Sequence, residues 1–260
     1  NYQRLSKKEK EEIIFNYNYL RYLVRLKNKI AIVTGAGRGI GKAISIEYAK
    51  EGADLLLISR TEKELEETAR EITLLGQKSS IFVCDVSKED QVKNSIDYAL
   101  SEFKNVDILV NNAGLGGFRP IWGTRLNNWN RMLEVNLTSN FLFTKHVWKS
   151  MKSNGGGSII NVSSLSGTRA YPMYASYSSS KWGQIGFTKT AAEEGKPDNI
   201  RVNAIAPGKV DTPMRENVDE DKSRILKSED CVGATIFFGS EESRYITGQV
   251  IEIEWFGPSP

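Results

Sequence analysis

A doubly wound α/β domain, its parallel sheet covered by helices on both faces, is what this chain predicts, on three observations. Strand-like apolar runs recur at 29–34, 54–58, 80–84, 107–110, 157–163, 200–205 and 248–253, about seven in all, mostly with helical stretches between them. A glycine-rich turn stands between the first run and the first helical pattern. Polar residues collect at or just past the carboxyl ends of the runs, where ligands bind in open parallel sheets. The 260 residues suit a single domain with a large core, and no repeat or long linker divides them.

Residues 1–27 read as an added helical extension ahead of a domain at 28–260. A capping box at Ser6 to Glu9 is followed by Ile13, Ile14, Tyr17, Leu20 and Val24, an amphipathic pattern expected to pack on the domain or on a neighbouring subunit. The stretch has no signal-peptide core and is too polar to span a membrane. The first strand then leads into Thr34-Gly35-Ala36-Gly37-Arg38-Gly39-Ile40-Gly41 and a helical pattern from Ala43. Glycines at 35, 39 and 41 allow a tight turn and close backbone approach to a pyrophosphate on the positive end of the helix. The spacing, G-x-x-x-G-x-G, differs from the common G-x-G-x-x-G, and alone it would fit an ordinary turn.

Further strand ends carry Asn111-Asn112-Ala113-Gly114, then Asn161-Val162-Ser163-Ser164, and later Asn203 to Gly208, with Asn136 between the first two groups. Tyr177 and Lys181 stand at i and i+4, on one helix face. A phenol beside a fixed ammonium has its pKa drawn down from about 10 and can serve as an acid/base. With ten tyrosines in a lysine-rich chain the pair alone is weak; its company gives it weight.

The charge balance, 35 basic against 32 acidic residues for a net +3, implies no nucleic-acid partner. Cys84 and Cys231 lack metal-ligand spacing and disulfide density, which fits buried thiols in a reducing, cytoplasmic setting. His146, the one histidine, lies among Phe143, Val147 and Trp148; packing is expected of it, and no Ser-His triad forms without it. No metal site is expected.

Across about residues 28 to 253 these motifs resemble the short-chain dehydrogenase/reductase family, in pattern most like its 3-oxoacyl-carrier-protein reductase and glucose dehydrogenase members. The resemblance implies a single Rossmann-type domain and a catalytic tetrad of Asn136, Ser164, Tyr177 and Lys181. In that family Tyr177 would pass the proton, Ser164 would bind the same oxygen, Lys181 would hold the nicotinamide ribose and lower the tyrosine pKa, and Asn136 would position a water. Cofactor contacts are implied at Gly35, Gly37, Arg38, Gly39, Ile40, Gly41, Ser59 and Arg60, with Asp85 and Val86 at the adenine. They continue at Asn111, Ala113, Gly114, Tyr177, Lys181, Pro207, Gly208, Val210 and Thr212. Asp85 has alternatives as a turn residue or a helix cap near Gln91.

The second strand ends in Ser59-Arg60-Thr61, where a carboxylate would mark NAD(H). Arg60 and Arg38 instead favour NADP(H) over NAD(H), by pairing with a 2′-phosphate, unless they are merely a solvated charge and a turn residue. The implied substrate is a ketone or secondary alcohol, such as a sugar or a small apolar carbonyl. Leu115, Phe118, Trp122, Tyr171, Met173 and Tyr174 are available to line an aromatic pocket, or to serve as core or interface. The short, charged stretch from Thr212 to Lys227 predicts an open one. The two arginines with which some carrier-protein reductases dock their partner align with Leu142 and Glu193, which weakens that alternative. A non-catalytic nucleotide-binding scaffold is the other alternative. A homotetramer, or else a homodimer, is expected through the helices at Asn136–Met151 and Ser178–Glu194. Trp255-Phe256-Gly257 departs from the Gly-Gly turn usual in the family.

Overall fold

A computed structural model describes residues 24–215, 221 and 224–256. Seven parallel strands form its one sheet: β1 Ile30–Thr34, β2 Asp54–Ser59, β3 Ser79–Val83, β4 Ile108–Asn111, β5 Gly157–Val162, β6 Ile200–Pro207 and β7 Val250–Ile253. Their order is β3-β2-β1-β4-β5-β6-β7. The chain first winds outward from β1 to β3 and then returns to place β4 on the other side of β1. That reversal is a topological switch point, and it opens a crevice at the strands' carboxyl ends. The observed strands depart from the expected runs by at most two residues at either end.

Alternation of side chains splits each central strand between two cores. Ala31, Val33, Leu55 and Leu57 face one side with Ile44, Tyr48, Ile236 and Phe238. Ile32, Leu56 and Ile58 face the other with Ile96, Leu109, Phe143 and Val147. Burial on both faces is why these strands read as continuous apolar runs. Each such side chain stabilises the fold by roughly 1.5–3 kcal/mol relative to exposure.

The covering helices are α1 Gly39–Lys50, α2 Glu62–Leu74, α3 Glu89–Phe103, α4 Leu126–Leu133, α5 Ser139–Ser153, α6 Ala175–Gly195 and α7 Val232–Gly239. Between α4 and α5 the chain stays helical but widens to a π turn at Glu134–Thr138. Such turns gather at functional sites, and this one holds Asn136.

Most of the expected N-terminal extension, including its capping box, lies outside the described residues. Its last residues correct the boundary set at 27/28. Leu26 is fully buried in the first core, the Leu26 N–H donates to the Glu51 carbonyl, and Arg25 pairs with Glu51. The folded domain therefore includes them. No described helix is long and apolar enough to cross a membrane.

Candidate active site

The floor of the crevice is the glycine turn. Gly35 and Gly39 hold φ values of +68° and +55°, in the left-handed region that penalises any side chain. At Gly41 the reason is proximity: a Cβ there would stand 2.2 Å from the Gly35 carbonyl oxygen and 2.4 Å from Asn112 Nδ2. The N-terminus of α1 has no side-chain cap and no acid in its first turn. Its free N–H groups and dipole thus face a cradle fitted to a pyrophosphate. A pyridine dinucleotide, implied by the fold, passes this test.

Asn112, absent from the expected contacts, locks the turn to the end of β4. Its Nδ2 donates to the Thr34 carbonyl at 2.9 Å and to that of Gly35 at 3.3 Å, while Thr34 Oγ1 accepts from the backbone N–H groups of Asn112 and Ala113, each at 2.9 Å. Asn111 lies at the end of β4 but does not present its side chain to the crevice. Its side chain turns into the core and donates to Asn161 Oδ1 at 2.9 Å, in a network that runs on to Asn140 and Thr188. A strand alternates its faces, so only one of two adjacent asparagines can look into the crevice.

Several other expected contacts also serve the fold. Val86 and Val210 are buried in the second and first cores. Pro207 ends β6, and the Gly208 N–H donates to the Ile253 carbonyl at 2.8 Å. Thr212 does look back at the turn: a Cβ on Gly39 would meet Thr212 Cγ2 at 3.3 Å. Ile40 packs partly buried against the first core. Asp85 is engaged by Arg131 at 3.0 Å and by the Ser87 N–H and hydroxyl, and these donors hold its carboxyl below the usual range against the opposing effect of burial, the largest single influence. Its own N–H donates to Gln91 Oε1. Nothing in the sequence around Arg131 marks it as Asp85's partner.

At the end of β2, Ser59 Oγ accepts from the Thr61 N–H, a local turn that leaves Arg60 exposed. Arg38 is different. Its guanidinium lies 3.5 Å from the carboxylate of Glu64 on α2, and a Cβ on Gly37 would strike Glu64 Cβ at 2.7 Å. Of the two arginines, Arg38 is therefore engaged by a carboxylate, while among the described residues none engages Arg60 or the β2 end.

The tetrad assembles where β5, α6 and the π turn meet. Ser164 hydrogen-bonds Tyr177, and its Oγ also accepts from the Ser166 N–H at 3.1 Å. Lys181 is buried at 3% exposure; Nζ donates to the Val162 carbonyl at 2.8 Å and lies 5.7 Å from the Tyr177 ring centre. Burial pulls its pKa down to about 7. The Tyr177 phenol moves opposite to expectation. Burial pushes its pKa up, opposed by the Ser164 hydrogen bond and the Arg215 charge. Lys181 does not lower it, because its ammonium is directed at a carbonyl and is itself near neutrality.

Asn136 is fully engaged. Its Oδ1 accepts from the Leu115 N–H at 2.7 Å, and Nδ2 donates to the Leu115 carbonyl and Ser180 Oγ, each at 3.0 Å. Its backbone carbonyl accepts from Gln184 at 2.7 Å. The side chain clamps the loop after β4 through both of its polar atoms. Gly114 sits between tetrad members: a Cβ there would lie 3.4 Å from Asn136 Oδ1 and 3.8 Å from Lys181 Nζ.

Over the tetrad stands an aromatic wall. Tyr174 meets the Tyr177 ring edge-on at 5.9 Å, Phe118 stacks on Tyr174 at 6.2 Å, and Tyr171 meets Tyr174 at 6.3 Å. Leu115 packs against the second core, and Trp122 is exposed. A cavity of about 510 Å³ between α3 and α5, lined by Lys93, His146 and Lys149 among others, is remote from this chemistry. His146 there lies 3.3 Å from the exposed Glu89, not against Ser164. Cys84 and Cys231 are buried, and burial pushes both thiols up to about 12. Among the described residues no cluster of three or more His, Cys, Asp or Glu is placed to hold a metal.

Residues 29–223 match the short chain dehydrogenase family. A 3-oxoacyl-acyl-carrier-protein reductase from Thermotoga maritima is 36% identical over 89% of this chain and 98% of its own. A short-chain type dehydrogenase/reductase from Mycobacterium marinum superposes with a TM-score of 0.86 at 31% identity, covering 92% of this chain and 99% of that one. Carveol dehydrogenase from Mycobacterium avium, solved in complex with NAD, gives 0.84 at 30% identity over 88% and 97%. With the motif order, the sheet order and the assembled tetrad, these likenesses identify the chain as a member of the short-chain dehydrogenase family, oxidoreductases that use a pyridine nucleotide and act on CH–OH or C=O groups.

Proposed function

We propose that the protein moves hydride between NADP(H) and a ketone or secondary alcohol, with NADP(H) preferred to NAD(H). The reading rests above all on the Ser164 hydroxyl meeting the Tyr177 phenol beside buried Lys181, at the rim of the glycine cradle. When bound, the dinucleotide supplies the hydride. The turn at Gly35 to Gly41 and the α1 N-terminus would hold its pyrophosphate, with Thr212 facing that turn. Tyr177 donates the proton to the carbonyl oxygen in reduction and accepts it in oxidation. Its raised pKa keeps the phenol protonated at neutral pH, which suits reduction. Ser164 fixes the oxygen's distance from the phenol and stabilises charge developing on it. Lys181, held by the Val162 carbonyl with its pKa drawn down to about 7, can take up or release a proton near neutral pH beside the phenol.

The preference for NADP(H) is supported by exposed Arg60 and by the absence of a carboxylate from the end of β2. The Arg38–Glu64 pair opposes it only weakly, since exposed pairs at this distance contribute roughly 0–1 kcal/mol and a phosphate dianion competes for the guanidinium.

Although the Thermotoga relative is a carrier-protein reductase, a free substrate fits better here. Leu142 is buried and Glu193 pairs with Lys196, so neither position offers an acidic carrier a cation. A homotetramer, or else a homodimer, in a cytoplasmic setting completes the proposal. The test is NADPH and NADH oxidation with a panel of ketones and aldehydes. Binding of both nucleotides with turnover of no carbonyl would replace this reading with a nucleotide-binding scaffold.

A further inference from the structure

Two loops form the outer wall of the site, and they are joined. The Arg119 N–H donates to the Met173 carbonyl at 2.7 Å, linking the loop after β4 to the one that presents Tyr174 and Tyr177. Met173 is held at φ +67°, a left-handed conformation costly for a methionine and of the kind that clusters at ligand sites. Phe118, Met173 and Met214 are exposed at 58%, 47% and 53%, around the one aromatic series that ends on the proton-donating phenol. Met214 lies against Gly116, where a Cβ would be 2.7 Å from its sulfur. An exposed apolar surface of this kind, continuous with a catalytic group, calls for an apolar ligand.

The charge on the wall has one sign. Between Ala113 and Arg125, and again between Ser164 and Tyr177, there is no Asp or Glu. Arg119 and Arg125 are both exposed, and neither has an ion pair among the described residues. Arg125 stands in the chain between Thr124 and Leu126, which with Ile121, Trp129 and Ala175 line a shallow groove of about 240 Å³. Arg169, the third arginine of these loops, is by contrast neutralised by Glu252 and Glu254 at 2.6 and 2.8 Å. The wall offers a flat apolar face and two uncompensated cations, and few side-chain acceptors to satisfy a polyol.

We infer that the substrate is a flat, apolar ketone carrying an anionic end, its ring against Phe118 and Tyr174 and its anion at Arg119 and Arg125. This rests on the reading above and narrows it, setting aside the sugar. The probes are para-acetylbenzoate, its neutral twin para-methylacetophenone, and dihydroxyacetone as a polar ketone. Binding is read by tryptophan fluorescence in the dead-end complex with NADP+, and turnover with NADPH is read separately. The carboxylate should bind about tenfold tighter than its twin, as one charge-assisted contact allows. The combined Arg119→Gln and Arg125→Gln variant should abolish that difference while leaving the twin's affinity unchanged; the backbone bond to Met173 is retained. Phe118→Ala should weaken both aryl ketones by about three- to tenfold and leave dihydroxyacetone unaffected. Equal binding of the twins in the wild type, or dihydroxyacetone bound as tightly as the aryl ketones, would overturn the inference. Aryl discrimination without turnover would instead retain the site and overturn the oxidoreductase reading.

Discussion

The Tyr177 phenol and the Lys181 ammonium are both driven toward their neutral forms by burial, and each yields an expectation. Tyr177→Phe removes one hydroxyl at constant packing, so the variant should fold and bind cofactor but lose turnover by on the order of 10²-fold or more. Wild-type rates from that variant would exclude the phenol as proton donor. For Lys181 the pKa falls from 10.5 unfolded to about 7 folded. Between those values the unfolded chain holds a proton that the folded chain releases, so this residue makes stability rise with pH across that window and fully opposes folding below it. Lys181→Met should therefore be more stable than wild type near about pH 6 by on the order of 1 kcal/mol or more, with the gap closing toward pH 10. Urea titrations at several pH values measure it. At the cofactor end, Glu64→Gln frees Arg38 and removes a negative charge from the phosphate side of the turn. It should tighten NADPH by about two- to fivefold while leaving NADH nearly unchanged, whereas Arg60→Asp should reverse the order. Equal shifts for both nucleotides in fluorescence titrations would detach these residues from cofactor choice.

Among the elements, the turn into α1 and the π turn after α4 do the positioning. Gly41→Ala forces a methyl to within 2.2 Å of a carbonyl that cannot move without breaking the Asn112 lock. Loss of nucleotide affinity by about tenfold or more is expected, together with destabilisation of about 1–3 kcal/mol. The π turn gives Asn136 the extra reach to hold both polar groups of Leu115. Asn136→Ala leaves two partly buried backbone groups of Leu115 without their partner, so thermal midpoint and turnover should fall together; calorimetry beside steady-state kinetics would show whether they do. Glycines at these spacings made the first element legible in the sequence. The second was not, because a π turn differs from an α-helix by one hydrogen-bond register and leaves no periodic mark.

For the whole molecule, apolar surface left uncovered on α5 and α6 points to assembly. Phe141 is 47% exposed and edge-stacked on Phe187, and Trp182 is 51% exposed. His146 and Trp148 are only partly buried, and Trp148 donates to Asp198 at 2.9 Å. Light scattering at micromolar concentration should find a homotetramer or a homodimer, and Phe141→Glu with Trp182→Glu should shift it toward monomer. A chain shortened to begin at Val24 keeps Leu26 in its core; an unchanged number of copies per particle would exclude residues 1–23 from the assembly.

The succession of strands along the chain and the glycine turn were legible in the sequence, because periodicity and motif spacing are local, and the resemblance those motifs carry implied the tetrad of Asn136, Ser164, Tyr177 and Lys181. Tertiary structure alone decided which strand-end groups face the crevice. Asn111 turned inward and Asn112 outward; Val86 and Val210 entered the cores; Arg131 reached Asp85 from another helix, and Glu64 reached Arg38 across the turn. The direction of the Tyr177 pKa was equally hidden. Four residues of spacing suggest a cation beside a phenol, but burial outweighs that proximity and a carbonyl claims the ammonium, and both depend on how distant segments pack.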